Sequence, residues 1–315
     1  MRGNLNMHYF VCVVRKYLFN SIMLIVFLAL AACGRNGGIK ESRAPAELST
    51  SEIKRIISAA PSNTEIIVAL GLADKLIAID PYSVDVLGVP KDLIEIDFFY
   101  PDTEAVIGLE PDLIFVNEVN SFGVANNPFK ILGDVGIRVV DVRTSTSIEG
   151  ICNDIIFIAE TLGVKEKGEA IVKSMQDEIE SISAAGERLE KKKTVYFEVS
   201  AMPSIVTFGQ DTYLNEMIEI AGGINIFAEQ KGWFSPSEEQ IINRDPDLIL
   251  TLFSHGVDPV SEIMGRRAFN GLTAVRQNQV ISIDTNSAAR PSHNILLALR
   301  EMTKAINPSY YETAR

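Results

Sequence analysis

Two distant stretches of this chain carry one pattern. Asp102-Thr103-Glu104 runs through Ala-Val-Ile-Gly-Leu-Glu to Pro111-Asp112-Leu113-Ile114, and Ser237-Glu238-Glu239 runs through Gln-Ile-Ile-Asn-Arg-Asp to Pro246-Asp247-Leu248-Ile249. Asp102 and Ser237 are good helix N-caps, so each stretch reads as a short helix leading into a strand. A unit met twice at such a separation constrains the fold more than composition does, and it implies two related lobes. The caps put Glu104 and Glu239 at the second helical position in both lobes. A carboxylate there complements the helix dipole. Two at matched sites also form a symmetric acidic pair suited to a two-fold partner.

The rest of the body agrees. Short β-branched runs alternate with amphipathic segments, the pattern of parallel α/β units. The strands expected are Arg55-Ile56-Ile57-Ser58, Leu76-Ile77-Ala78-Ile79, Leu113-Ile114-Phe115-Val116 and Arg138-Val139-Val140-Asp141-Val142, then Thr194 to Val199, Leu248-Ile249-Leu250-Thr251 and Val280-Ile281-Ser282-Ile283. Between the two sets lies a charged segment in which Ile171, Met175, Ile179 and Ile182 share one helical face. The fold class expected is therefore α/β, two α/β lobes with central parallel sheets joined by one long rigid interlobe helix. The corresponding divisions are 54–164 for the N-terminal ligand-binding lobe, 165–192 for the helix and 193–315 for the C-terminal ligand-binding lobe.

Ahead of the body, Arg15-Lys16 precede an apolar run from Tyr17 to Ala32 that ends in Leu30-Ala31-Ala32-Cys33. A basic start, a short apolar stretch and small residues before a cleavage point make a signal peptide over 1–32. The run is shorter than the roughly 20 residues of a spanning helix. Its ending resembles the bacterial lipobox, which implies that Cys33 is lipidated, that 33–53 is a flexible tether rich in Gly, Ser, Glu and Ala, and that the protein is held to the extracytoplasmic side of the cell membrane.

Loss of 1–32 removes three of the 29 basic side chains and none of the 41 acidic ones, leaving a net charge of about −15. Such a surface repels nucleic acid. Cys152, among apolar neighbours, reads as a small buried hydrophobe. His255 and His293 lack paired metal-ligand spacing; each reads as a solvated or hydrogen-bonded histidine, with an axial contact to a chelate as the alternative. No phosphate-cradling glycine loop and no Gly-x-Ser-x-Gly elbow follows any strand, which argues against an enzyme on a doubly wound fold. A lipoprotein that only adheres to surfaces would not need paired lobes or matched glutamates.

The series Ser58-Ala59-Ala60-Pro61-Ser62-Asn63-Thr64-Glu65, Ala69-Leu70-Gly71-Leu72, Leu109-Glu110-Pro111-Asp112, Ala221-Gly222-Gly223-Ile224-Asn225-Ile226-Phe227, Asn243-Arg244-Asp245-Pro246-Asp247, Ala274-Val275 and Arg290-Pro291-Ser292 resembles the cobalamin and ferric-siderophore binding proteins of ABC importers. The resemblance covers roughly Lys54 to Pro308. It implies a monomeric, non-enzymatic receptor that captures a metal chelate between its lobes and passes it to transmembrane permease subunits. It also gives Glu104 and Glu239 the role of docking on permease arginines. No resident cofactor or metal is implied; the chelate is cargo.

The same resemblance places Tyr82, Phe98 and Trp233 where cobalamin-binding members carry aromatic contacts, with Trp233 in a loop and Phe99, Tyr100, Phe122 and Tyr213 in second rank. Aromatic faces suit a large flat chelate, although any one of these rings could instead be core. Arg290-Pro291-Ser292-His293-Asn294 departs from the siderophore-type Arg-Pro-Gly-Pro-Arg by lacking the second arginine. Arg290 itself is expected either to meet a carboxylate or phosphate or to cap a helix. The ligand expected first is a corrinoid, then a ferric siderophore, with haem as a further alternative.

Overall fold

The computed structural model describes residues 53–99, 101–117, 128–201, 203–252 and 258–310. The signal peptide, the tether with Cys33, and Tyr100, Phe122 and His255 lie outside the described residues.

The N-terminal sheet holds β1 (Ile56–Ser58), β2 (Leu76–Ile79), β3 (Ile94–Glu95), β4 (Leu113–Asn117) and β5 (Arg138–Val142), in the order β3-β2-β1-β4-β5 with every pairing parallel. The C-terminal sheet is also parallel, with β6 (Thr194–Glu198), β8 (Ile224–Asn225), β10 (Leu248–Leu252) and β11 (Val280–Ile283) in the order β11-β10-β6-β8. Beside it, β7 (Thr207–Phe208) and β9 (Trp233–Phe234) form a small antiparallel ribbon. The central strands are covered on both faces by helices, which is why β10, Leu-Ile-Leu-Thr-Leu, is buried throughout.

The helices are α1 (Pro61–Ala69), α2 (Thr103–Gly108), α3 (Pro128–Asp134), α4 (Ile148–Thr161), α5 (Lys165–Glu187), α6 (Tyr213–Ile220), α7 (Glu238–Arg244), α8 (Pro259–Gly265), α9 (Thr273–Arg276), α10 (Thr285–Ala289) and α11 (Ile295–Ile306).

The repeat read from the sequence is repeated in detail. In each lobe the residue before the Pro-Asp pair takes a left-handed backbone, Glu110 at φ 46° and Asp245 at φ 40°. In each, the following aspartate binds the start of the central strand. Asp112 Oδ2 accepts from the Lys54 and Arg55 amides at 2.7 and 2.8 Å, and Asp247 Oδ2 accepts from the Thr194 amide at 2.9 Å. These aspartates pin β4 beside β1 and β10 beside β6, so the two sheets share one register device.

The long helix α5 spans 23 residues between the sheets. Its buried face is Gly168, Val172, Met175, Ile182 and Gly186, with Ile171 and Ile179 half-buried on its shoulders. Both glycines mark close crossings. A Cβ on Gly168 would lie 2.5 Å from the Ala159 Cβ of α4, and one on Gly186 would lie 2.7 Å from the Ile220 carbonyl at the end of α6. The helix is thus seated against the N-terminal lobe near one end and the C-terminal lobe near the other. A single apolar cluster runs from Ile56 and Phe115 of the first sheet through Met175 and Ile182 to Phe197 and Leu250 of the second. Truncating a fully buried member such as Ile182 to Ala costs about 2–5 kcal/mol.

Candidate functional site

The site begins where the polar residues of Ser58 to Glu65 and the segment after β2 come together. Thr64 Oγ1 lies 2.8 Å from Ser58 Oγ and 2.9 Å from Ser83 Oγ, and Ser83 Oγ donates to Asp80. All four side chains are buried. Asp80 Oδ1 also accepts from the Tyr82 amide at 2.8 Å. Burial raises the Asp80 carboxyl to about 6, against the opposing pull of its bonds from Ser83 and Tyr82.

Across from this segment stands Arg290, at the end of α10. Its Nη1 is 3.2 Å from Glu65 Oε1, and its Nη2 lies 2.9 Å from the Tyr82 carbonyl and 2.8 Å from Asp85 Oδ1. Ser292 Oγ donates to the other Glu65 oxygen, and Asn286 Nδ2 donates to the other Asp85 oxygen at 2.8 Å. Residues beyond the carboxyl end of β11 therefore touch residues beyond the carboxyl end of β2, so these ends of the two sheets face each other across the lobes. In open α/β sheets that is where ligands sit. Burial raises Glu65, opposed by Ser292 and Arg290. Burial also pulls Asp85 upward, but Arg290 and Asn286 outweigh it and hold the carboxyl below its ordinary range.

Of the two readings open for Arg290, it meets carboxylates, but they belong to the protein. Tyr82 and Phe99 are half-buried in segments that follow β2 and β3. Phe98 is corrected: it is 2 % exposed and stacks on Phe129 at 6.2 Å, inside the N-terminal core, so its ring offers no face to a ligand in this structure. Trp233 is half-buried, but on strand β9 and not in a loop; its ring meets Phe208 edge-on at 5.5 Å. Tyr213 is also core, its hydroxyl donating to the Ala288 carbonyl at 2.8 Å. His293 is half-buried, not freely solvated; burial lowers its pKa, and among the described residues its Nδ1 has no hydrogen-bond partner. Cys152 is a buried free thiol, as its neighbours suggested.

Glu104 and Glu239 are both exposed and both stand second in their helices, α2 and α7. Asp102 Oδ1 accepts from the Glu104 and Ala105 amides at 3.1 Å, while Ser237 and Gln240 close a reciprocal capping box. The caps satisfy the helix ends without using either glutamate. A second buried ionic cluster lies in the C-terminal lobe, where Arg266 grips Glu198 at 2.6 and 2.7 Å and also pairs with Glu262. A groove of about 800 Å³ between α4 and α5, lined by Ile148, Cys152, Val172 and Ile179, contains none of the candidate residues.

Two lobes with parallel sheets opposed at their carboxyl ends, and one helix seated against both, define a two-lobed binding protein. The chain belongs to the periplasmic binding protein family, whose model matches residues 56–286. It is 30% identical over 311 residues to the ABC transporter substrate-binding lipoprotein YvrC of Bacillus subtilis, itself uncharacterized, covering 92% of this chain and 96% of that one. It is 29% identical to the vitamin B12-binding protein of Vibrio parahaemolyticus over 79% of this chain and 88% of that one. Among solved structures it resembles a possible iron-binding periplasmic solute-binding protein from Staphylococcus epidermidis, with a TM-score of 0.71 and 29% identity over 80% of this chain and 98% of that one. The protein is accordingly a substrate-binding component of an ABC transporter and not an enzyme, and its family is extracytoplasmic. Among the described residues no helix is long and apolar enough to cross a membrane.

Glu65, Asp85 and Ser292 were not singled out from the sequence as site residues, although Glu65 and Ser292 stand inside quoted motifs. The available signal is a glutamate set directly against the apolar Ile66-Ile67-Val68 run of its helix.

Proposed function

We propose that this protein is a monomeric lipoprotein, anchored through Cys33, that captures a corrinoid between its lobes and presents it to the permease through Glu104 and Glu239. The observation that carries the delivery half is the pair of exposed glutamates at equivalent positions of equivalent helices, neither of them used by the cap of its own helix. For the ligand, half-buried Tyr82, Phe99 and Trp233 supply aromatic surface, with Tyr100 next to Phe99 in sequence. The vitamin B12-binding relative supports a corrinoid ahead of a ferric siderophore or haem.

Charge points the same way. The one guanidinium of the Arg290-Pro-Ser segment already faces two carboxylates of its own chain. A ferric catecholate or a haem brings several negative charges and calls for free arginines, whereas cobalamin brings little net charge. Calorimetric titration with cyanocobalamin, haemin and a panel of ferric catecholates and hydroxamates tests the reading. Cyanocobalamin is expected to bind tightest; tight binding of a ferric chelate with none of cyanocobalamin overturns the corrinoid assignment and leaves the receptor class intact.

A further inference from the structure

We infer that Arg290 is a positioning residue and not a ligand contact: it straps the C-terminal lobe to the Tyr82 segment, fixing both the spacing of the lobes at that edge of the cleft and the attitude of the Tyr82 ring. The role of Tyr82 in this inference rests on the capture reading above; the strap itself does not depend on which chelate binds.

Five hydrogen bonds cross between the lobes at this point. Arg290 supplies three of them, to Glu65, the Tyr82 carbonyl and Asp85. Ser292 and Asn286 supply the others, to the second oxygens of the same two carboxylates. Every carboxylate oxygen of Glu65 and Asp85 is thereby held from the opposite lobe. The Arg290 side chain is only 11% exposed, and three N–H bonds of its fork, which has five donors, are committed. A ligand anion could take one of these three donors only by displacing a carboxylate or the Tyr82 carbonyl, and the two donors left over belong to a guanidinium whose charge two carboxylates already balance. For Glu65, 4% exposed, that would leave a buried charge without its partner, a costly exchange.

Tyr82 is held on both sides. Its amide is bound by Asp80 from within the N-terminal lobe, and its carbonyl by Arg290 from the other lobe. Asp80 is itself braced by Ser83, and Ser83 by Thr64. A ring whose two flanking peptide groups are fixed loses less freedom when a ligand stacks on it, which is how preorganisation raises affinity without a new contact.

The test uses the full chain in detergent with Arg290→Ala, Asp85→Asn and the double variant; Asp85 lies at the surface, so its variant keeps the test open should Arg290→Ala fold poorly. Hydrogen–deuterium exchange of residues 80–90 is followed in the ligand-free protein, and affinity is measured with cyanocobalamin. Each single variant is expected to speed exchange in this segment about tenfold or more and to weaken cyanocobalamin about tenfold. The double variant should be no weaker than Arg290→Ala alone, because the two residues act through one contact. In a Tyr82→Ala background Asp85→Asn should no longer change affinity. Weakened cyanocobalamin binding in Arg290→Ala alone, with exchange unchanged and Asp85→Asn silent, makes Arg290 a ligand contact and overturns the inference. Unchanged exchange in both variants overturns it as well. If cyanocobalamin fails to bind the natural chain, the corrinoid reading falls while the exchange measurement still decides the strap.

Discussion

Asp80 offers a direct way to test the electrostatics of the site floor. Its carboxyl is 4% exposed and burial raises it from an ordinary 3.8 to about 6. Between those values the folded protein holds a proton that the unfolded chain has released. The contribution of Asp80 to stability is therefore fully present below about pH 4 and is lost as pH rises through about 6. A shift of this size amounts to about 3 kcal/mol in all, of which roughly 2.5 falls between about pH 4 and about pH 8. Asp80→Asn keeps a carbonyl oxygen for the Tyr82 amide and sets an amide donor toward Ser83, so it removes the charge while sparing the geometry. Urea unfolding of both proteins across that range, followed by circular dichroism, gives the difference in stability at each pH. Groups common to both proteins cancel in that difference. The variant should gain on the natural protein by about 2–3 kcal/mol as pH rises. A difference constant to within about 0.5 kcal/mol, or one that falls with pH, refutes the assignment of a costly buried charge at Asp80.

Four further outcomes are expected. Ala at both Glu104 and Glu239 should abolish uptake in cells while leaving ligand affinity within about a factor of two, since both side chains are exposed on lobe surfaces; unimpaired uptake would return them to a helix-dipole role. Trp233→Ala should weaken cyanocobalamin by about 1–2 kcal/mol, the scale of a central aromatic contact, and an unchanged affinity would leave the ring as packing against Phe208. Small-angle scattering profiles with and without ligand should nearly superimpose because α5 is seated in both lobes and carries no proline; marked compaction would mean a hinge. Cys33→Ser should release the protein from the membrane fraction, and retention through an uncleaved leader would remove the lipobox reading.

The larger elements were legible because their signal is periodic. All seven strands expected from β-branched runs are present, and so is the long helix, since its apolar residues recur at helical spacing over many turns. The four strands not foreseen, β3, β7, β8 and β9, are two residues each, too short to show any period. That is why Trp233 reads as loop from sequence and stands on a ribbon in the fold. The strap was hidden for a different reason. Arg290 and Glu65 are 225 residues apart, and Arg290 and Asp85 are 205 apart; only tertiary packing brings them together. Phe98 shows the limit of position-by-position transfer, because a ring at a ligand-contact position is equally able to turn inward when Phe129 offers it a stacking partner.

The seating of α5 also sets an order on assembly. The first sheet is complete by Val142, but α5, which extends its apolar cluster, needs partners from the far end of the chain: α11 packs on α5, and Arg300 reaches Glu178 at 2.6 Å. Contacts of such sequence separation form late and slowly. A growing or unfolded chain thus carries an unfinished N-terminal half, with Met175 and Ile182 uncovered on one side, until α11 arrives. Chain ends cut before Ile295 should consequently leave the shared cluster around Met175 and Ile182 open to proteases, because each sheet keeps an apolar layer of its own on one face but closes the other only together with α5 and α11.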